Sequence, residues 1–145
     1  MAEGDVAEGR AQLVGRDLGD FEFVVDDWTA DTFLGLMGRS PGARDMPPSF
    51  GQVAALAMVQ RFDWDRDLMV DLSAGGAAVY GEQDLCFHAP FRRGQRLRVR
   101  AMVDRVESKH GGRRRFDAVT IRLEASEKQH PVLTADVTLL CLDAE

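Results

Sequence analysis

The sequence predicts an α+β fold in which an antiparallel sheet curls around one central helix. Three features of the chain point there. Residues 50–62 read Phe-Gly-Gln-Val-Ala-Ala-Leu-Ala-Met-Val-Gln-Arg-Phe, small or apolar nearly all round. That describes a helix enclosed by other structure rather than one lying on a surface. Pro47 and Pro48 stand just before it, where a helix starts without needing their missing N–H groups. Beyond it, apolar and polar residues alternate in three successive runs joined by short connections, as half-buried antiparallel strands do.

The elements follow in order. Residues 1–20 are rich in Gly, Ala and acids, with few large apolar groups. They bury too little surface to offset the entropy of ordering, so a flexible N-terminal arm is expected. Residues 21–145 are expected to form one domain, without an internal repeat or a second linker. Residues 21–25 fit a short strand. Asp26 or Asp27 offers an N-cap, residues 28–37 a helix, and Gly38 its stop. Trp28, Phe33, Leu34 and Met37 recur near helical spacing and are expected to face the core. Residues 38–45 form a loop by their Gly and Pro content. Residues 63–71 are charged, interrupted by Trp64, Leu68 and Met69, and read as a surface loop or short turn.

The second half is strand-like. Residues 79–88 fit a strand, and Leu97, Val99, Ala101 and Val103 alternate with Arg96, Arg98, Arg100 and Met102. Lys109-His110-Gly111-Gly112 marks a hairpin turn, because glycine supplies positive φ. Val119, Ile121 and Leu123 alternate with Thr120 and Arg122, then Leu133, Ala135, Val137, Leu139 and Cys141 with Thr134, Asp136 and Thr138. A sheet that must cover a helix on most sides has to curl. That is the hot-dog arrangement.

Composition bounds the function. A chain of 145 residues with 45% apolar and 29% charged residues suits one soluble domain. The net charge of -6 argues against general nucleic-acid binding. No apolar stretch approaches the ~20 residues that span a bilayer, and the N-terminus lacks the basic and apolar regions of a secretory signal. Cys86 and Cys141 both sit in apolar, strand-like contexts and are expected to be buried free thiols. They have no C-x-x-C partner, and three scattered histidines do not make a metal site. A cytoplasmic protein without metal or cofactor is expected.

A few residues are candidates for chemistry. His88 ends a strand before Ala89-Pro90; it is either a hydrogen-bonded structural histidine or a contact to substrate or partner. His110 and His130, at a hairpin tip and a strand start, are expected to be solvated. Glu82 and Asp84 lie two apart on a strand and share a face. Paired carboxylates do acid–base work only where environment separates their pKa values; exposure on a solvated strand is the plainer reading. His88, Asp84 and Glu82 are thus weak catalytic candidates, and no catalytic residue is assigned. Tyr80, the one tyrosine, lines a groove near the helix start or is a core residue with a satisfied hydroxyl, and Gly81 follows it. Ser49, Phe50 and Gly51 open the central helix, where free N–H groups and the helix dipole can hold a carbonyl oxygen. Arg92, Arg93, Arg96, Arg98 and Arg100, with Arg113, Arg114 and Arg115 across the hairpin, form either a solvated face or an attraction for phosphates or an acidic protein.

The order Met46-Pro47-Pro48-Ser49-Phe50, Tyr80-Gly81-Glu82-Gln83, then Phe87-His88-Ala89-Pro90-Phe91-Arg92-Arg93-Gly94-Gln95 resembles MaoC-type dehydratases, and more narrowly their N-terminal, largely non-catalytic hot-dog half. Ser49 stands for a usual threonine and Gln95 for a usual acid. The resemblance spans residues 21–142. It implies action on acyl thioesters of coenzyme A or acyl carrier protein. It also implies that Ser49, Phe50, Gly51, Tyr80 and Gly81 contact substrate. The family's catalytic half carries an Asp and a His in an Asp-x-Asn-Pro-x-His-like loop before the central helix. Gly38-Arg39-Ser40-Pro41-Gly42 stands at the matching place here; no such pair follows, and the loop is shortened before Met46. The resemblance therefore implies an accessory subunit of a heteromeric (R)-specific enoyl-thioester hydratase or 3-hydroxyacyl-thioester dehydratase. The alternative is a stand-alone dehydratase, cyclase or thioesterase using non-standard residues. Exposed strand edges imply pairing with a second hot-dog subunit, itself or a relative; no nucleic acid or membrane partner is expected.

Overall fold

The computed structural model describes residues 9–143. Five strands form one antiparallel sheet: β1 (Asp17–Val24), β2 (Ala77–Phe87), β3 (Arg96–Gly111), β4 (Arg114–Glu127) and β5 (His130–Leu142). Their spatial order is β1-β3-β4-β5-β2. Between β1 and β2 lie α1 (Asp27–Leu36), α2 (Phe50–Val59) and α3 (Trp64–Leu68). This is an α+β hot-dog fold.

The sheet alternates as its sequence requires. On β3, Leu97, Val99, Ala101 and Val103 are buried, while Arg96, Arg98, Arg100 and Met102 are exposed. On β5, Leu133, Ala135, Val137, Leu139 and Cys141 are buried. Register breaks at Leu18, Gly81 and Asp104 place one extra residue in β1, β2 and β3 respectively. Each bulge bends its strand and raises the local twist, which lets long strands curl over a helix. The bulge at Gly81 also inverts the alternation of β2. Cys86 is consequently exposed, not buried as its apolar neighbours suggest; Cys141 is buried.

The central helix is α2. Phe50, Ala54, Ala55 and Met58 are fully buried, and the small residues let the helix lie close to the sheet. Its other flank is open: Val53 is 43% and Leu56 44% exposed. The helix is covered on one side rather than enclosed.

At α1, Asp26 is the cap, accepting a 2.7 Å bond from the Thr29 N–H. That bond holds its carboxyl below the usual range. Gly38 ends the segment at φ 69, in the left-handed region that suits glycine. Phe33 and Leu34 are buried as expected, but Trp28 and Met37 are exposed. Trp28 lies two positions, roughly 200°, from the buried Ala30, on the opposite side; Met37 is already the C-cap. Residues 63–71, expected as a surface loop, hold the short α3 and bury Leu68 and Val70.

Residues 1–8 of the expected N-terminal arm lie outside the described residues. Residues 9–20 are mostly exposed but are tied to the domain at Arg10, Leu13 and the β1–β3 ladder. Leu13 is buried, and the Gly15 N–H and Arg16 carbonyl bond Val103, extending the ladder that β1 makes with β3. Arg10 is fully buried. Its guanidinium donates to the Leu68 and Met69 carbonyls, to Asp117 at 3.0 Å and to Asp143 at 2.6 Å. Burial opposes its charge, but the bonds to Asp143 and Asp117 prevail and raise its pKa. One side chain thus ties the N-terminal segment to α3, β4 and the chain end.

Candidate functional site: the groove at the head of the central helix

Met46, Pro48, Phe87, His88, Ala89, Pro90 and Phe91 line a groove of about 370 Å³ beside the start of α2. Its floor is aromatic. Phe50 packs edge-on between Phe33 and Phe91, at centroid distances of 5.3 and 5.4 Å, and Phe91 meets Phe87 at 6.5 Å. Gly51 permits this arrangement: a methyl group there would stand 2.5 Å from the Phe87 ring. Phe87 itself is 42% exposed, so the ring is a movable wall rather than core.

The loop before the groove is clamped. Arg93 donates to the Ala43 carbonyl at 3.1 Å, to Asp27 at 3.1 Å and to Asp31 at 2.5 Å. Asp31 also accepts from the Gly42 N–H at 3.0 Å. The Arg93 bond, reinforced by that N–H, holds the Asp31 carboxyl below its ordinary range. The Arg93 N–H bonds the Arg44 carbonyl and the Met46 N–H bonds the Phe91 carbonyl. Asp45 pairs with Arg92 as a single bridge. Residues 42–46 are therefore laid against the turn after β2.

The candidate residues separate into two groups. Phe50, Gly51 and His88 adjoin the groove, and Ser49 precedes them. The Phe50 and Gly51 N–H groups are not free. They bond the Pro47 and Pro48 carbonyls at 2.9 and 3.0 Å, and the Gln52 N–H bonds the Ser49 carbonyl at 3.2 Å. Ser49 is itself helical, at φ -59 and ψ -20, and its side chain caps nothing. The tight first turn has consumed the donors that an oxyanion site would need. His88 lies 2.9 Å from the Thr134 hydroxyl on β5, while its own N–H bonds the Val132 carbonyl.

Tyr80, Gly81, Glu82 and Asp84 lie elsewhere along β2. Tyr80 is eight residues from His88, roughly 26 Å along extended chain. Its hydroxyl donates to Gln83 at 2.6 Å, and burial raises its pKa. Gly81 is the bulge residue, where a Cβ would press on the Thr138 carbonyl at 3.1 Å. Glu82 and Asp84 share the exposed face. His110 and His130 are exposed.

The arginines are mostly matched. Arg96 pairs with Glu22 at 2.9 Å, Arg98 with Asp20 at 2.5 Å, and Arg100 with Asp20 at 3.6 Å. A second groove of about 390 Å³ holds Arg92 and Gln95 against Glu127. The Gln95 bond, then Arg92, draws the Glu127 carboxyl pKa down. Among the described residues, no cluster of three or more His, Cys, Asp or Glu side chains could hold a metal. No helix there is long and apolar enough to cross a membrane.

The sequence motifs contain Met46, Phe87 and Phe91 without marking them as groove walls, and Arg93 was read only as part of a basic run, not as the clamp of the loop. The spacing of Phe87 and Phe91 around a Pro-containing turn was the available signal. Arg93 gave none, since its partners are 62 and 66 residues away.

The geometry defines a hot-dog fold protein with an apolar groove at the head of its helix. Solved structures carry the same fold. The ChsH1-ChsH2 complex from Mycobacterium tuberculosis matches at TM-score 0.70 and 14% identity, over 97% of this chain and 98% of that one. The HadBC (3R-hydroxyacyl-ACP dehydratase) complex from the same organism matches at 0.66 and 22% identity, over 90% and 98%. A MaoC-like dehydratase from Rhodospirillum rubrum matches at 0.60 and 14% identity, over 91% and 93%. Probable thioesterases share the fold too, so it does not by itself fix a reaction. No protein-family model matches the chain, and no curated protein is similar to it in sequence.

Proposed function

We propose that this chain is the accessory, non-catalytic hot-dog subunit of a heteromeric (R)-specific enoyl-thioester hydratase or 3-hydroxyacyl-thioester dehydratase. One observation carries the reading. The loop leading into the central helix, residues 38–49, offers a single acid, Asp45, and no histidine; the Asp45 backbone is paired with that of Arg92. Adding or removing water across a carbon–carbon bond needs an acid and a base within reach of adjacent atoms. His88 is turned to Thr134 instead. What the site does offer is a groove walled by Met46, Pro48, Phe87, Pro90 and Phe91, suited to an acyl chain. The ligand is then an acyl thioester of coenzyme A or of a carrier protein. The catalytic pair comes from a second hot-dog subunit, joined through the free edge of β2. Residues 21–145 serve as one such domain.

A stand-alone enzyme would have to use Tyr80, Glu82, Asp84 or His88, which are strung along one strand rather than gathered. The test is hydration of a trans-2-enoyl-CoA by the chain alone and with a hot-dog protein that carries the Asp–His loop. No turnover alone, and a rate that rises to a plateau at equal amounts of the two, supports the accessory role. Turnover by the isolated chain, abolished by His88→Ala with the fold intact, establishes the stand-alone enzyme instead.

A further inference from the structure

β2 is one of the two edge strands of the sheet, the other being β1. Beyond the Gly81 bulge its exposed face carries Glu82, Asp84 and Cys86, and its other face Gln83 and Leu85. Asp84 stands opposite Asp136 of β5, which stands opposite Arg122 of β4. Arg122 is already committed to Asp136 at 3.0 Å and to Asp104 at 3.6 Å. Read toward the edge, the row runs cation, anion, anion, then open space. Neither Asp84 nor Glu82 has an ion-pair partner among the described residues. The open flank of α2 exposes Val53 and Leu56, and β2 itself exposes Val79 and Phe87. An edge strand that exposes apolar residues is a surface that a second strand completes.

We infer that this edge takes the β strand of a different hot-dog subunit, one that places lysine or arginine opposite Asp84 and Glu82, and that it disfavours a second copy of this chain. The inference rests on the two-subunit reading above and decides between self-pairing and hetero-pairing. Two copies would pair antiparallel about a two-fold axis. Residues directly opposite then share a face, and only registers that keep both cores on one side of the sheet are open. Glu82 is the middle residue of β2. Pairing centred there sets Glu82 of one copy against Glu82 of the other. One residue further, Glu82 faces Asp84; at the next, Asp84 faces Asp84. Opposite side chains are about 5 Å apart and diagonal ones about 7–8 Å, and like charges there destabilise the pair. A cation in the same place would instead complete the row that begins at Arg122.

Sedimentation velocity of three samples at low salt tests this: the wild-type chain, the variant E82K/D84K, and their equimolar mixture. Both substitutions are at exposed positions, and thermal melts confirm that the variant folds. Each protein alone should sediment as monomer, acid facing acid or base facing base. The mixture should form dimers, weakening roughly ten-fold or more between 0.05 and 0.5 M salt as screening shortens the reach of the charges. The neutral variant E82Q/D84N should self-associate more tightly than wild type. A wild-type dimer whose affinity is unchanged in E82Q/D84N overturns the inference, and so does a mixture that stays monomeric. A self-paired wild type that still activates a catalytic subunit would sink the hetero-pairing alone. Hetero-pairing without any effect on turnover would sink the accessory role alone.

Discussion

β1 and β2 bound the same sheet, yet they treat charge in opposite ways. Two of the three acids of β1, Asp20 and Glu22, meet Arg96, Arg98 and Arg100 of the neighbouring strand. Beyond β1 the ladder continues through Gly15 and Arg16 into a segment anchored by the buried Arg10. At β2, Glu82 and Asp84 face outward without cations among the described residues, and the strand also exposes Val79 and Phe87. Both are edge strands, but the chain ties down the β1 side, the closed side, with its own charges and anchors, and leaves the acids of the β2 side, the open side, unmatched. Exposed apolar surface marks interaction sites more often than chance, and the contrast between the two edges is the ground for placing the proposed interface at β2.

The largest effect expected is on the closed side. Arg10→Met removes every bond that Arg10 makes and leaves Asp117, which is 3% exposed, without its cation. Breaking a buried pair from one side typically costs about 3–5 kcal/mol. Urea unfolding followed by circular dichroism should show a loss of that size. The double variant Arg10→Met/Asp117→Leu should recover part of it, because no buried charge is then stranded. A change under about 0.5 kcal/mol, the scale of ordinary surface substitutions, would mean that residues 9–16 are not anchored and that the two edges differ less than described.

The sequence carried the sheet and the central helix but not this contrast. Alternation on β3 and β5 is a local pattern, so Leu97 to Val103 and Leu133 to Cys141 were readable. The role of Arg10 was not, because Asp117 and Asp143 lie 107 and 133 residues further on. Cys86 was misplaced because one extra residue at Gly81 reverses the faces of a strand, and nothing in the residue types there requires a bulge. Trp28 and Met37 were assigned to the core on approximate helical spacing, but Trp28 lies on the opposite side of the helix and Met37 falls at its C-cap. Of the residues proposed to meet substrate, Phe50 and Gly51 adjoin the groove, whereas Tyr80, the one read as lining a groove, lies further along β2. The bonds that occupy the helix-start N–H groups depend on the backbone at Ser49, which no side-chain pattern reports.

A smaller effect is expected on the open side, at the groove. Gly51→Ala places a methyl group 2.5 Å from the Phe87 ring. Since Phe87 is partly exposed, its ring can swing aside, and the cost should be about 1–3 kcal/mol, the range for overpacking. Phe87→Ala should be cheaper than loss of a fully buried phenylalanine. Adding Gly51→Ala to it should then cost little, which a double-mutant cycle reads directly as coupling between the two sites. Additive costs would mean that the helix backbone, rather than the ring, gives way, and that the groove wall is fixed.

The mildest test uses a thiol on each side. Cys86 lies exposed on β2, and Cys141 is buried near Arg10. Burial pushes the Cys141 thiol from 9.0 up to about 11, so at pH 8 it is both protonated and inaccessible. A thiol reagent should titrate one cysteine in the native chain and the second only on unfolding. Because the folded value is the higher one, the stability tied to the neutral Cys141 is fully present below pH 9 and is lost as the pH climbs through about 11. Arg10→Met should make Cys141 reactive by loosening the closed side while leaving the Cys86 rate unchanged. Pairing of β2 with another strand should do the reverse, slowing Cys86 alone. Two thiols that respond together to either perturbation would show that the edges are one cooperative unit, and that the charge asymmetry between them does not divide the molecule into a sealed half and a receptive one.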